Sequence, residues 1–279
     1  MLLPPAKLAI LAGGGELPKR LAASCVQQSR PLLVVALVGE VDGDGWYQAL
    51  PHLEIRLGET GALLDQLAAA GVTAVVFAGR VKRPSLASLR PDWATAKLAL
   101  RVGLNALGDD GLLRALAKLF EERGMAVVAA QDLLAELLVP AGQLGAIALP
   151  PDLQADVDKA VAVARALAPH DVGHAVVVQQ GVVLTLEAAE GTDAMLNRAA
   201  ALKTLGSPPV LVKLAKPMQD VRLDLPAIGP HTIATAAKSG IGAVVVSAGK
   251  TLMLDYADLI QAADQAGIAL IGWPEEAAS

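Results

Sequence analysis

Lys7-Leu-Ala-Ile-Leu-Ala-Gly-Gly-Gly15 is a short apolar run that ends in three glycines, and a helical pattern at 17–27 follows it. A buried strand, a tight loop and a helix in this order are typical of a parallel sheet covered by helices. The pattern repeats toward position 129. Further apolar runs lie at 31–38, 72–78 and 125–129, and further helical patterns lie at 60–70, 92–107 and 111–123. We therefore predict an α/β fold that begins with a Rossmann-like parallel-sheet domain at 1–140.

Turn-forming residues separate this region from a second one. Pro140 and Pro150-Pro151 bracket a stretch that we interpret as a linker at 141–151. Beyond it, two apolar runs flank Gln180-Gly181, which predicts a hairpin of strands at 175–179 and 182–186. Other predicted strands lie at 210–214, 221–225, 243–246 and 268–271, and predicted helices at 153–167, 233–239 and 257–266. A hairpin followed by crossovers predicts a mixed-sheet α/β domain at 152–279.

The composition excludes several classes of protein. The net charge is −5 and the chain has only three Trp, two Tyr and two Phe. An acidic chain with few aromatic rings is a poor partner for nucleic acid. The single cysteine, Cys25, permits no disulfide within the chain. We expect a cytoplasmic protein, because the N-terminus does not read as a signal peptide and no apolar run reaches the ~18–20 residues of a membrane helix.

The charged segment from Lys213 to Pro226 carries the strongest prediction of chemistry. From Asp220 to Leu225 polar and apolar residues alternate, so an extended strand would place Asp220, Arg222 and Asp224 on one face. Two carboxylates with a guanidinium between them can hold a divalent cation and a phosphate together. We predict that Asp220 and Asp224 bind the metal. The predicted catalytic residues are Asp224, Asp220, Arg222, Lys213 and Lys216, the two lysines as phosphate contacts or, alternatively, as surface charges.

The first loop is a second candidate. Gly13, Gly14 and Gly15 follow a strand, where backbone N–H groups can approach a phosphate, or where glycine only permits a tight turn. A dinucleotide fingerprint would need a third glycine at Pro18. A dinucleotide-dependent oxidoreductase is therefore a rival interpretation that this loop does not favour.

Other candidate substrate contacts follow predicted strands. In a parallel sheet the carboxyl ends of strands are where ligands bind. The acidic motif Glu190-Gly191-Thr192-Asp193 could contact a cation or substrate, although Thr192 or Asp193 could simply cap a helix. The basic candidates suit an anionic substrate or form solvated loops, and they are Arg80, Lys82, Arg83 and Lys250.

These segments together resemble one family, the cytoplasmic UDP-2,3-diacylglucosamine pyrophosphatases of lipid A biosynthesis of the LpxI type. The resemblance covers both halves of the chain in order. It rests on 11–18, 79–84, 108–110, 190–193, 213–226 and 248–255. One position departs from the family pattern, because Leu223 stands where Phe is usual.

The resemblance implies a Mg²⁺-dependent hydrolase. Its substrate would be a UDP-linked acylated glucosamine lipid, split to UMP and 2,3-diacylglucosamine 1-phosphate. The essential aspartate of the family corresponds to Asp224, either as a metal ligand or as a general base. The resemblance also implies peripheral contact with the cytoplasmic face of the inner membrane, and it leaves homo-oligomer formation open. A non-catalytic nucleotide- or lipid-binding protein is the other rival interpretation.

Overall fold

The computed structural model describes residues 6–81, 92–93, 95, 109–134, 137–170, 172–216, 220–223 and 225–274. The chain forms two compact units. The first comprises Met1–Ala135 together with Asp220–Asp224, and the second comprises Glu136–Gln219 and Leu225–Ser279. The predicted linker at 141–151 lies inside the second unit, because Gly142–Gln143 is a strand of that unit's sheet. Most of the predicted helix at 92–107 lies outside the described residues.

The first unit contains a parallel sheet in the order β3-β2-β1-β4-β5. Its strands are β1 (Leu8–Ala12), β2 (Leu32–Leu37), β3 (His52–Ile55), β4 (Ala74–Ala78) and β5 (Ala126–Val127). Its helices are α1 (Leu17–Gln27), α2 (Thr60–Ala69), α3 (Asp109–Glu122) and α4 (Ala130–Leu133). This strand order is that of a doubly wound, Rossmann-like fold and confirms the predicted class.

The core of the first unit lies between the sheet and two helices. Leu11 and Val35, from neighbouring parallel strands, share a buried cluster with Leu64 of α2 and Phe120 of α3. Strands β1 and β2 are buried along nearly their whole length, as expected where helices cover a parallel sheet. Strand β3 was not predicted. Only Ile55 in it is buried, and an edge strand that is half exposed leaves no continuous apolar run.

The second unit contains a mixed sheet in the order β6-β13-β11-β9-β7-β8. Strands β9, β11 and β13 are parallel, whereas β6, β7 and β8 pair antiparallel with their neighbours. The strands are β6 (Gly142–Gln143), β7 (Ala175–Gln179), β8 (Val182–Leu186), β9 (Val210–Lys213), β11 (Ala243–Ser247) and β13 (Ala269–Trp273). A separate short pair joins β10 (Ala227–Ile228) to β12 (Leu252–Met253). The predicted mixed-sheet domain is confirmed.

Helices cover both faces of the second sheet. They are α5 (Gln154–Leu167), α6 (Thr192–Leu202), α7 (Pro230–Lys238) and α8 (Tyr256–Ala266). Alternate residues of one strand point to opposite faces. Val212 accordingly packs in the cluster that contains Val157 of α5, whereas Leu211 packs with Leu196 of α6 and Ile233 of α7.

The hairpin of β7 and β8 forms at the predicted residues. Gln180 and Gly181 both have positive φ, at 49° and 75°, as a two-residue turn of this kind requires. Buried Asp156 of α5 accepts a hydrogen bond of 2.6 Å from each of their backbone N–H groups. The turn is thus fixed by its own sequence and by a carboxylate of the adjacent helix.

Candidate active site residues

The predicted strand at 221–225 is wrong for the residues of this segment that the structure describes. Val221–Leu223 forms a turn in which the N–H of Leu223 donates to the carbonyl of Asp220 at 2.9 Å. The N–H of Arg222 donates to Oδ1 of Asp220 at 3.1 Å. Aspartate side chains favour such turns because they bond to the backbone two residues further on, and here that preference overrides the alternating pattern. Asp224 lies outside the described residues.

Asp220 and Arg222 form an ion pair within this turn. Nε of Arg222 donates to Oδ1 at 3.0 Å and Nη2 donates to Oδ2 at 2.7 Å. The Nη1 atom of Arg222 also donates to Glu121 of α3 at 2.9 Å. The hydrogen bond from Arg222 lowers the pKa of Asp220, and the bonds that Arg222 donates to Asp220 and then to Glu121 raise the pKa of Arg222. Both predicted residues are therefore engaged with protein partners.

The turn is held on the first unit by further contacts. Leu223 is 6% exposed and packs in the same cluster as Phe120. The side-chain amide of Gln131 donates to the carbonyl of Val221 at 3.2 Å. These contacts make a short segment from late in the chain part of the first unit.

The glycine loop is closed by bonds within the protein. The N–H of Gly13 donates to Ala78 at 2.8 Å, and that of Gly14 to the carbonyl of Arg80 at 2.8 Å. The N–H of Gly15 donates to Oδ2 of Asp42 at 2.9 Å. A Cβ at Gly13 would overlap the carbonyl oxygen of Arg80. Close approach of two backbones thus accounts for the glycine at position 13, while the predicted contact of Gly13, Gly14 and Gly15 with a phosphate stays a prediction.

The basic loop lies beside these glycines. Arg80 follows β4 and pairs with Gly14 as an isolated antiparallel bridge, so the loops after β1 and β4 are joined. Gly79 has φ of 89°, and a Cβ there would come within 2.6 Å of the carbonyl oxygen of Gly14. Lys82 and Arg83 lie outside the described residues, and their predicted role stays a prediction.

A connected group of polar side chains lies at the carboxyl end of β9 in the second unit. Nζ of Lys213 donates to the hydroxyl of Thr192 at 3.0 Å, and that hydroxyl donates to Oε1 of Glu187 at 2.6 Å. Oε2 of Glu187 accepts the N–H of His174 at 2.8 Å. The structure therefore brings together Lys213 and Thr192, which the sequence predicted separately.

Other predicted residues surround the start of α6. Glu190 bonds to Arg198, and the backbone N–H of Glu190 and the Arg198 side chain lower the pKa of its carboxyl. Gly191 has φ of 83° and precedes the helix. Oδ2 of Asp193 lies 3.3 Å from Nε2 of His231.

Two predicted lysines occupy other places in the second unit. Lys216 lines a surface pocket beside β7, together with Arg165, His174 and Glu187. Lys250 lies half-buried in the turn after β11. Of the predicted catalytic set, Asp220 and Arg222 belong to the first unit, and Lys213 and Lys216 belong to the second.

The described residues do not fit a magnesium site by themselves. No three His, Cys, Asp or Glu side chains among them are grouped so that they could hold a metal ion. Both carboxylate oxygens of Asp220 accept bonds from Arg222, so the predicted metal role of this residue is not supported by the geometry. The other predicted ligand is Asp224, which is not described.

Two partners of the candidate residues were missed by the sequence reasoning. Glu187 directly follows β8 and is buried, and Glu121 lies in the last turn of α3. An acidic residue at a strand end beside a second acidic motif was a usable signal for Glu187. Glu121 has the sequence pattern of an ordinary surface residue of an amphipathic helix. No feature of the neighbouring sequence indicates that it bonds to Arg222.

Comparison with known proteins relates the whole chain to one family. Residues 7–137 match the LpxI N-terminal domain, and residues 140–271 match the LpxI C-terminal domain. A protein of Caulobacter vibrioides named UDP-2,3-diacylglucosamine pyrophosphatase LpxI is 39% identical over 276 residues, 95% of this chain and 97% of that protein. The chain belongs to the LpxI family. The resemblance read from the sequence segments is thereby confirmed.

Solved structures outside the LpxI family overlap this chain only weakly. The biotin carboxylase subunit of pyruvate carboxylase is 12% identical with a TM-score of 0.26, covering 71% of this chain and 41% of its own. An isoflavone reductase is 13% identical with a TM-score of 0.28, covering 97% of this chain and 79% of its own. Among the residues that the structure describes, no helix is both long and apolar enough to cross a bilayer.

Proposed function

We propose that this LpxI-family protein hydrolyses the diphosphate bond of UDP-2,3-diacylglucosamine, giving UMP and 2,3-diacylglucosamine 1-phosphate in lipid A biosynthesis. The observation that carries the proposal is the 39% identity, over 95% of the chain, to a relative that bears the name of this activity. Both LpxI domains are matched, so the similarity is not confined to one half.

The chemistry of the second unit supports a diphosphate substrate. Lys213 places an ammonium at the carboxyl end of a parallel strand, where ligands bind in α/β folds. An ammonium can neutralise a phosphate oxygen as negative charge develops on the departing UMP. Thr192 fixes one N–H of this group by its 3.0 Å bond, and an ammonium has two more to donate.

We assign the hydrolytic step to Asp224. Water would attack the phosphorus on the sugar side, and a carboxylate can take the proton of that water as a general base. The support is the position of Asp224 in the family-like segment 213–226 and the docking of the preceding residue, Leu223, in the core of the first unit. Arg222, held by Asp220 and Glu121, then stabilises the turn at 220–223 rather than contacting phosphate directly.

Mg²⁺ remains part of the proposal as a cofactor. Mg²⁺ usually keeps several waters and takes one or two carboxylates plus substrate phosphates. Because Asp220 is engaged by Arg222, Asp224 alone takes the place of the predicted Asp220–Asp224 pair as the protein ligand, and this role is the alternative to that of general base. When bound, the ion would supply charge neutralisation at the diphosphate.

The acylated substrate resides in a membrane, so we also propose peripheral contact with the cytoplasmic face of the inner membrane. This part rests on the nature of the proposed substrate. Sedimentation of the purified protein tests whether it forms a homo-oligomer.

The function is tested by incubating the protein with UDP-2,3-diacylglucosamine in H₂¹⁸O and analysing products by mass spectrometry. We expect UMP without label and 2,3-diacylglucosamine 1-phosphate with one ¹⁸O. The Asp224→Asn variant should lose turnover, whereas the control Asp258→Asn, at an exposed position of α8, should keep it. Absence of UMP with the unaltered protein would leave only a non-catalytic binding role.

A further inference from the structure

Glu187 is a buried acidic residue that the proposed reaction does not use directly. Its residue exposure is 8%, and it follows β8 at the end of the sheet where Lys213 lies. A buried carboxylate is costly unless hydrogen-bond donors surround it. Glu187 has two such donors, the hydroxyl of Thr192 on one oxygen and the N–H of His174 on the other.

The direction of the hydrogen bonds in this group is fixed by chemistry. An ammonium can only donate, so Lys213 donates to the oxygen of Thr192. A carboxylate can only accept, so the one proton of the Thr192 hydroxyl points to Glu187. The hydroxyl is therefore held with its lone pair toward Lys213.

Helix capping does not explain Thr192. The N-cap residue of α6 is Gly191, and no side chain caps this helix end. The hydroxyl of Thr192 is turned to Glu187 instead. Gly173 also packs against the backbone of Glu187. The approach is so close that a Cβ at Gly173 would overlap the carbonyl oxygen of Glu187. The loop before β7 thus closes directly on the backbone of this residue.

We infer that Glu187 is a positioning residue that sets the place of the Lys213 ammonium through the hydroxyl of Thr192. The inference rests on the proposed function, in which Lys213 contacts a phosphate oxygen of the substrate. Thr192 then serves as a relay between two charges, rather than as a direct substrate contact as the sequence predicted.

The first experiment measures kcat and KM with UDP-2,3-diacylglucosamine. Thr192→Val keeps the shape of the side chain but removes the hydroxyl that joins Lys213 to Glu187. Glu187→Gln places an amide nitrogen against one of the two hydrogen-bond donors, the Thr192 hydroxyl or the His174 N–H. Each should lower kcat/KM roughly tenfold, about the effect of one hydrogen bond to a charged group. Thr192→Ser should recover most of the loss, and the exposed control Asp158→Asn should behave as the unaltered protein.

A double variant separates positioning from a general structural effect. In a Lys213→Met background, Glu187→Gln should cause no further loss of kcat/KM, because its target is already absent. An equal, independent loss in that background would overturn the inference. So would unchanged kcat/KM in both Thr192→Val and Glu187→Gln.

The second experiment does not depend on the enzymatic activity. The substrate-free protein is treated with acetic anhydride at fixed pH, and acetylation of Lys213 is compared by mass spectrometry with that of the exposed Lys238. Labelling of Lys213 should rise severalfold in Thr192→Val and Glu187→Gln, since its ammonium is no longer held. Labelling equal to that of the unaltered protein in both variants would refute the relay, whether or not the protein hydrolyses the proposed substrate.

Discussion

Both carboxylate oxygens of Asp220 accept hydrogen bonds from the guanidinium of Arg222, at 3.0 Å and 2.7 Å. The pair is partly shielded, with side-chain exposures of 21% for Asp220 and 41% for Arg222. A bidentate arrangement of this kind is stronger than an ordinary surface ion pair. It makes Asp220 a structural partner of the turn, and this has consequences for stability.

The stability contributed by Asp220 should depend on pH. Its folded-state pKa is lowered, chiefly by the hydrogen bond from Arg222. The contribution is therefore present above the unfolded pKa of about 3.9 and is lost as pH falls through the lower folded value. We expect Asp220→Asn to cost about 1 kcal/mol at pH 7 and progressively less below about pH 4.

Urea unfolding of both proteins across this pH range measures the effect. The matched control is Asp65→Asn, whose carboxylate pairs with Arg123 but is 78% exposed. It should change the free energy of unfolding very little. A cost for Asp220→Asn that stays constant from pH 7 to the acid range would contradict the ion-pair explanation.

Leu223 should behave as a core residue of the first unit. It is 6% exposed, so truncation to Ala removes buried methyl groups and leaves a cavity. We expect Leu223→Ala to lower the free energy of unfolding by about 2–4 kcal/mol. Its neighbour Val221 is 38% exposed, and Val221→Ala should cost under about 0.5 kcal/mol in the same denaturation experiment. Equal effects at the two positions would show that the turn does not dock through Leu223.

Gly13 should be intolerant of a side chain. A Cβ at this position would overlap the carbonyl oxygen of Arg80, whereas a Cβ at Gly43 would meet nothing within 4 Å. We expect Gly13→Ala to destabilise by about 1–3 kcal/mol, because backbone atoms must shift. Gly43→Ala should be close to neutral. Thermal unfolding of both variants measures the difference, and a fully stable Gly13→Ala would contradict the backbone pairing.

Removal of divalent cations tests the proposed cofactor. If Asp224 binds Mg²⁺ together with substrate phosphates, EDTA should abolish release of UMP and added Mg²⁺ should restore it. The melting temperature without substrate should change little on EDTA treatment, because a single carboxylate binds Mg²⁺ weakly. Full activity in EDTA would leave Asp224 with the role of general base alone.

The sequence correctly predicted those helices and strands whose local pattern of apolar and turn-forming residues matches their burial in the fold. Helix α1 occupies the predicted residues, and the hairpin of β7 and β8 does so as well, because Gln180 and Gly181 satisfy the turn directly. Strands β1 and β11 were predicted because β1 and residues 243–246 of β11 are entirely apolar, as is typical of strands buried on both faces.

The errors have physical reasons of the same kind. The alternation at 220–225 indicated a strand, but the carboxylate of Asp220 bonds to the backbone and side chain of Arg222 and closes a turn. Strand β6 is an exposed two-residue strand that depends on its pairing with β13, so no local signal marks it. The glycines after β1 were predicted as a phosphate contact, with a tight turn as the alternative, and the pairing of Gly14 with Arg80 was not predicted because it joins residues distant in the sequence.

The sequence predicted several residues of the candidate site but not the contacts between them. Lys213 and Thr192 were both chosen from their places after strands, and the structure joins them at 3.0 Å. Glu187 and Glu121 were missed because their roles arise from partners distant in sequence. These contacts could be identified only from the folded structure.

The return of Asp220–Asp224 to the first unit means that this unit is not encoded by one uninterrupted stretch of the gene. A recombinant fragment that stops at Ala135 would lack Leu223 and leave part of its own interior unfilled. A chimaera that exchanges halves between two relatives must therefore take segment 220–224 from the same parent as the N-terminal portion. Otherwise, the core of the first unit would come from one parent and the Leu223 side chain that fills it from the other.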